Sequence, residues 1–189
     1  LSKPDNGEIL IGGKQVKGAE SHLIQLERKG YNSARIVYDF DGNVMNRCTN
    51  TAGAISGAPA YVQGKVGQAM RFSGAGDVVS YPLGQWVDRT RGNIQFWYQP
   101  DWSLAELTAD SASRVLAQLN WGWLLEITKE GKLRHYLVGS GTSNATSGVI
   151  PWRAGQWYFI QAVWGYDGGS SIYLNGQLVA RDSRRSAGI

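Results

Sequence analysis

Gly92-Asn93-Ile94-Gln95-Phe96-Trp97-Tyr98-Gln99-Pro100-Asp101 is the stretch whose reading decides the fold, and its neighbours make it informative. It reads as a strand over Asn93–Gln99 that ends at a proline. Upstream lies Gly67-Gln68-Ala69-Met70-Arg71-Phe72-Ser73-Gly74. Downstream come Gly155-Gln156-Trp157-Tyr158-Phe159-Ile160-Gln161-Ala162-Val163-Trp164 and then Ile172-Tyr173-Leu174-Asn175-Gly176-Gln177-Leu178-Val179-Ala180. Further strand signals fall at Ala34–Phe40, Val78–Tyr81, Ser113–Leu119, Trp123–Thr128, Lys132–Val138 and Thr146–Ile150. Turn signals separate them at Asp41-Gly42-Asn43, Gly74-Ala75-Gly76-Asp77, Glu130-Gly131 and Asp167-Gly168-Gly169. Asn175-Gly176 stands between two alternating runs, a strong signal for a two-residue hairpin. Many short strands joined by glycine-bearing turns predict an all-β, two-sheet antiparallel sandwich. One exception is Ser103-Leu104-Ala105-Glu106-Leu107, where an N-cap serine followed three positions later by Glu predicts a single helical turn with a capping box.

Taken in order, the glycine-led strands resemble the laminin-G-like branch of the concanavalin A-like lectin/glucanase superfamily. There a "GQAL.F.G" strand, a "tisfWvkP" strand, a "GqWy.va..wd" strand and a closing "iYlNG..va" hairpin recur in this sequence order. The resemblance covers roughly Ile36 to Asp182 and implies a jelly roll. It assigns residues 34–183 to the jelly-roll domain, 1–33 to an N-terminal extension or arm, and 184–189 to a tail. It also implies that Phe72, Trp97 and Trp157 fill the core between the sheets.

Composition agrees with a β-rich chain of one domain. Among 189 residues there are 25 Gly against five Pro, with eight Trp and nine Tyr, so glycine makes the turns. No apolar run approaches the roughly 20 residues that cross a bilayer, so no membrane insertion is expected. Leu1 opens the chain without the basic-then-apolar pattern of a signal peptide, which reads as a processed product, an excised domain or part of something longer. The single Cys48 excludes an internal disulfide framework and reads as a small filler or a reactive thiol. A net charge of +4 without a basic run interleaved with aromatics argues against nucleic acid as a partner. Within the arm, Glu8–Val16 reads as a hairpin around Gly12-Gly13. Glu20–Lys29 reads either as a helix stopped by Gly30 or as a strand. Such an arm can pair with a neighbouring chain's sheet edge and make a homo-oligomer.

Catalysis finds little material. The family's glucanases place Glu-x-Asp-x-Glu on one strand, with two carboxylates about 5 Å apart as nucleophile and acid. Here Glu126 and Glu130 are the nearest pair, and Glu130 falls in a turn. His22 and His135 stand apart from other ligands, and His135 reads as a face residue between Arg134 and Tyr136. Ser140 lacks a nucleophile elbow, and Gly74-Ala75-Gly76 is a turn with no phosphate-loop lysine after it. The chain is therefore expected not to be an enzyme.

Binding residues are a different matter. Trp102 and Trp152 sit in predicted loops beside prolines, and Trp121 and Trp123 share one face of a strand. Aromatic faces about 6.6 Å apart stack on sugar rings or on an apolar partner surface, or else cover a core. Asn120, Arg114, Arg134 and Tyr136 would supply polar groups to orient a glycan. Members of the superfamily hold one structural Ca²⁺ between first and last strands, which by resemblance points to Asp39 or Asp41 with Asp182. Asn144-Ala145-Thr146 matches a glycosylation sequon. The sequence thus predicts a non-catalytic recognition module of an extracellular or surface protein, binding carbohydrate or a surface protein. The alternative is an assembly domain that decorates a virion, tail fibre or surface filament.

Overall fold

The computed structural model describes residues 9–11, 14–16, 40–46, 50–81, 91–119, 122–137, 143–165 and 169–184. Asp39, Asn120, Trp121, Cys48, His22, the segment Glu20–Lys29 and the arm boundary at residue 33 lie outside them. Among the described residues the structure is all-β and antiparallel with one short helix, and the chain forms two compact units. One contains Leu1–Lys17 with Asn32–Val87, the other Gly18–Tyr31 with Asp88–Ile189.

The second unit holds the sandwich. One sheet has the order β14 (Gln177–Asp182), β13 (Gly169–Leu174), β12 (Tyr158–Gly165), β7 (Arg91–Tyr98). The other has the order β11 (Ser143–Val149), β10 (Lys132–Leu137), β9 (Trp123–Ile127), β8 (Arg114–Leu119). The helix α1 (Leu104–Asp110) carries the chain from β7 to β8. Its N-terminus is the predicted capping box: Ser103 Oγ accepts the Glu106 amide, and Glu106 Oε2 accepts the Ser103 amide at 2.7 Å. The predicted Asn175-Gly176 hairpin is also present, both residues having positive φ (50° and 83°).

The sheets meet because each strand's side chains alternate in and out. β10 shows it most clearly: Leu133, His135 and Leu137 are buried, while Lys132, Arg134 and Tyr136 are half-buried on the reverse face. Trp123, Leu125 and Ile127 of β9 join them from one side, and Ile160, Ala162, Trp164 and Ile172 from the other. Burying each Leu or Ile contributes roughly 1.5–3 kcal/mol, so this layer dominates the unit's stability. Trp164 lies against Trp123 with ring centroids 5.4 Å apart. Gly92, in the stretch that opens the fold, is paired with Trp164, and a Cβ there would come within 2.5 Å of the indole. That glycine is thus what lets the tryptophan lie flat across β7. Two polar contacts stitch the sheets: Ser143 and Ser170 share a buried hydroxyl hydrogen bond of 2.8 Å, and Asp182 Oδ2 accepts the Asn144 amide at 2.6 Å.

Several expected core assignments change. Trp97 falls in the opposite phase from Trp164 on β7, the last described strand of its sheet, and is 40% exposed with its ring tilted against Phe159 at 5.2 Å. Phe72 is 47% exposed, and Trp157 is half-buried. Resemblance identified the strands but not which side of each is covered. His135, expected on a face, is fully buried in the core. Two loop and strand tryptophans expected at a ligand are core instead. Trp123 is 3% exposed between His135 and Trp164, so it offers no face to a ligand. Trp152 is 2% exposed; its Nε1 donates to Gly131 O at 2.9 Å, its carbonyl accepts the Leu104 amide, and Tyr158, Tyr98 and Trp102 surround its ring.

The first unit is made of short ribbons. β1 (Ile9–Ile11) pairs with β2 (Lys14–Val16), as the Gly12-Gly13 hairpin reading expected. β3 (Ala54–Ser56) pairs with β6 (Val78–Ser80), and β4 (Ala60–Gln63) with β5 (Gln68–Arg71). Asp77 ties the turn before β6: its carboxylate accepts the amides of Ala58, Ser73 and Gly74 at 2.8–2.9 Å, which holds its pKa below the usual range.

Candidate binding face

The surface most suited to a ligand is the outer side of the β8–β11 sheet, because alternation collects its polar side chains there. Register places Arg134 between Glu126 of β9 and Thr146 of β11, with Val115 of β8 completing the row. The next row runs Gln118, Leu124, Tyr136, Asn144. Directly paired residues share a face, so these eight side chains form one patch opposite the His135 core side.

The centre of the patch is an ion pair. Arg134 Nη2 contacts Glu126 Oε1, with the arginine side chain 39% exposed and the glutamate side chain 6% exposed. The carboxylate is therefore beneath and the guanidinium above, reachable from solvent. Tyr136 stands one strand position away along β10, half-buried, with Asn144 and Leu124 on either side. Thr146 Oγ1 donates to Asn144 Oδ1 at 2.9 Å, which orients that amide. Donors, acceptors and one phenol ring are thus presented side by side on a rigid sheet.

Arg134 and Tyr136, both expected from the sequence, come together here. Trp102 does not join them; it is half-buried and packs edge-on against Trp152 at 6.1 Å. Arg114 is engaged by Asp110, four residues before it. Glu126, Gln118, Asn144 and Thr146 were not read as one face. The signal for Glu126 was its phase, since it alternates with Leu125 and Ile127.

Of the expected calcium ligands, Asp39 lies outside the described residues, while Asp41 and Asp182 each have hydrogen-bond partners within their own compact units. Asp182 has both oxygens engaged: Oδ2 accepts Arg184 Nη2 at 2.7 Å and the Asn144 amide at 2.6 Å, and Oδ1 accepts the Arg184 amide and Nε, each at 3.0 Å. The Arg184 hydrogen bond is the main reason its carboxyl lies far below the usual range. Asp41 belongs to the other compact unit, where its Oδ1 accepts the Gln68 amide at 2.7 Å. Among the described residues no group of three or more His, Cys, Asp or Glu is placed to hold a metal ion.

Comparison with known proteins supports the fold. Residues 73–187 match the laminin-G type 3 family of the concanavalin A-like lectin/glucanases superfamily. No curated protein sequence matches the chain. Among solved structures, it is similar to the binding domain of Paraclostridial Mosquitocidal Protein 1, with a TM-score of 0.61 and 14% identity over 80% of this chain and 39% of that one. It is also similar to the botulinum neurotoxin serotype D binding domain, with a TM-score of 0.53 and 14% identity over 75% of this chain and 36% of that one. The chain thus spans less than half the length of either, and at this identity the likeness shows the fold alone.

Proposed function

The chain belongs to the concanavalin A-like lectin/glucanases superfamily, and from that premise we propose that it is a non-catalytic recognition module that binds carbohydrate through the outer face of its β8–β11 sheet. The observation that supports this most is the Arg134–Glu126 pair beside Tyr136, Gln118 and Asn144. Sugar recognition needs hydroxyl-matching donors and acceptors held rigidly, with an aromatic ring for the C–H face. Glycoside hydrolysis needs two carboxylates, one of them with a raised pKa. The patch carries one among its described residues, and that one is ion-paired. The parent protein would act outside the cell or on a surface.

Glycan-array binding of the purified chain tests the reading. Retention of one glycan class, lost in Tyr136→Ala and Arg134→Ala with melting temperatures unchanged, supports it. Silence across a broad panel sinks it.

The assembly reading has its own observation: Ile55, Phe72 and Val78 of the first unit are large apolar side chains left exposed. Sedimentation as an oligomer that dissociates when residues 1–33 are deleted would favour that role.

A further inference from the structure

We propose that Glu126 sets the specificity of the β8–β11 face, making it select neutral ligands with two adjacent hydroxyls and reject acidic ones. The inference rests on the glycan-binding reading above.

An arginine facing solvent normally captures carboxylates and sulfates through its planar fork of N–H donors. Arg134 is exposed enough to do so, but Glu126 already occupies it from below. The glutamate is 4% exposed, and a carboxylate that deep keeps its cationic partner, because an unpaired buried charge is far costlier than an exposed one. An incoming anion would meet a guanidinium already neutralised and a second carboxylate next to it. A diol meets something better. Each hydroxyl both donates and accepts, and the row offers the Arg134 N–H donors beside the exposed Thr146 hydroxyl that pairs with it in register, with the buried Glu126 carboxylate beneath. The flanking groups suit the same partner: Gln118, Tyr136, Asn144 and Thr146 are uncharged and have both donor and acceptor capacity. Asp182, which holds the Asn144 amide, is itself paired with Arg184, and Lys132 stands on the same face of β10 two residues before Arg134.

The test uses the full chain titrated with neutral polysaccharides (a β-glucan, a mannan, a galactan) and acidic ones (polygalacturonate, heparin), each at low and high salt. Wild type is expected to bind a neutral polymer with an affinity that salt changes by less than about twofold, and to bind acidic polymers at least about tenfold more weakly. Glu126→Gln is nearly isosteric and frees the guanidinium. It is expected to gain roughly tenfold affinity for the acidic polymers at low salt, the gain vanishing at high salt. The gain counts only with an unchanged melting temperature, because an unfolded cationic chain also binds polyanions; if the variant fails to fold, the wild-type titrations at the two salts decide alone. Preferential wild-type binding of an acidic polymer, abolished in Arg134→Gln, overturns the specificity while leaving the face as the binding site. Absence of binding to every polysaccharide overturns the face itself, and the inference with it.

Discussion

The imidazole of His135 packs edge-on against the indole of Trp123, ring centroids 5.0 Å apart, and neither imidazole nitrogen has a hydrogen-bond partner among the described residues. Trp164 lies on the ring as well, at 6.1 Å. Burial in this aromatic box, with no charged group contributing, pushes the imidazole pKa down to about 3.

That placement predicts acid sensitivity. The folded pKa lies below the unfolded value of about 6.5, so the stability of the neutral form is complete above pH 6.5 and is lost as pH falls toward 3. In that window the unfolded chain holds a proton that the folded chain refuses, worth about 1.4 kcal/mol per pH unit. Urea unfolding in steps down to pH 4 should show this slope, and His135→Leu should flatten it. An equal slope in the variant would mean that other groups carry it.

Asp182 acts lower on the scale. Its folded pKa is depressed, so its contribution is present above about pH 3.9 and lost below it. Asp182→Ala removes the acceptor that joins β11 to β14, and should cost about 1–3 kcal/mol in a thermal melt. Arg184→Ala, on a mostly exposed partner, should cost less than about 1 kcal/mol.

The same pairing bears on calcium. With the Asp182 carboxylate taken by Arg184, verified chelation should leave the melting temperature unchanged. A drop of several degrees would show that an ion binds and displaces the arginine.

Gly169→Ala should be among the most damaging single changes. A Cβ at this residue would lie 1.8 Å from the Asp182 carbonyl oxygen, and its φ of +65° disfavours any side chain. A loss above about 3 kcal/mol, or no soluble folded protein, is the expected outcome of expression and melting.

Trp152 and Tyr136 should separate stability from binding. Trp152→Ala empties a buried site and should cost about 3–5 kcal/mol. Tyr136→Ala, on the outer face, should cost under about 1 kcal/mol yet abolish glycan retention. Retained binding in Tyr136→Ala would move the site elsewhere.

What the chain encodes locally was legible. The Asn175-Gly176 turn, the Ser103–Glu106 capping box and the alternation of β10 each depend on residues within a few positions of one another. Those signals suffice for an antiparallel sandwich, and the order of the glycine-led strands suffices for the family. Arg134 and Tyr136 could be put on one face by period alone.

The remaining decisions needed distant strands to meet. Trp152 follows a loop proline, which suggests a surface, yet Gly131 from the β9–β10 turn and Leu104 from α1 close over it. Trp97 lies in an apolar strand, which suggests a core, yet it is 40% exposed near the end of β7, although Phe159, Gln161 and Val163 on the same face of β12 are buried. Alternation says that two faces differ; it does not say which face another layer covers. Nor does it say which arginine a buried glutamate will meet. Glu126 finds Arg134 only once β9 and β10 adopt one register, and Asp182 reaches the Asn144 amide across 38 residues of sequence. Backbone periodicity is a property of neighbours along the chain, whereas burial and charge pairing are properties of neighbours in space, and only folding brings those together.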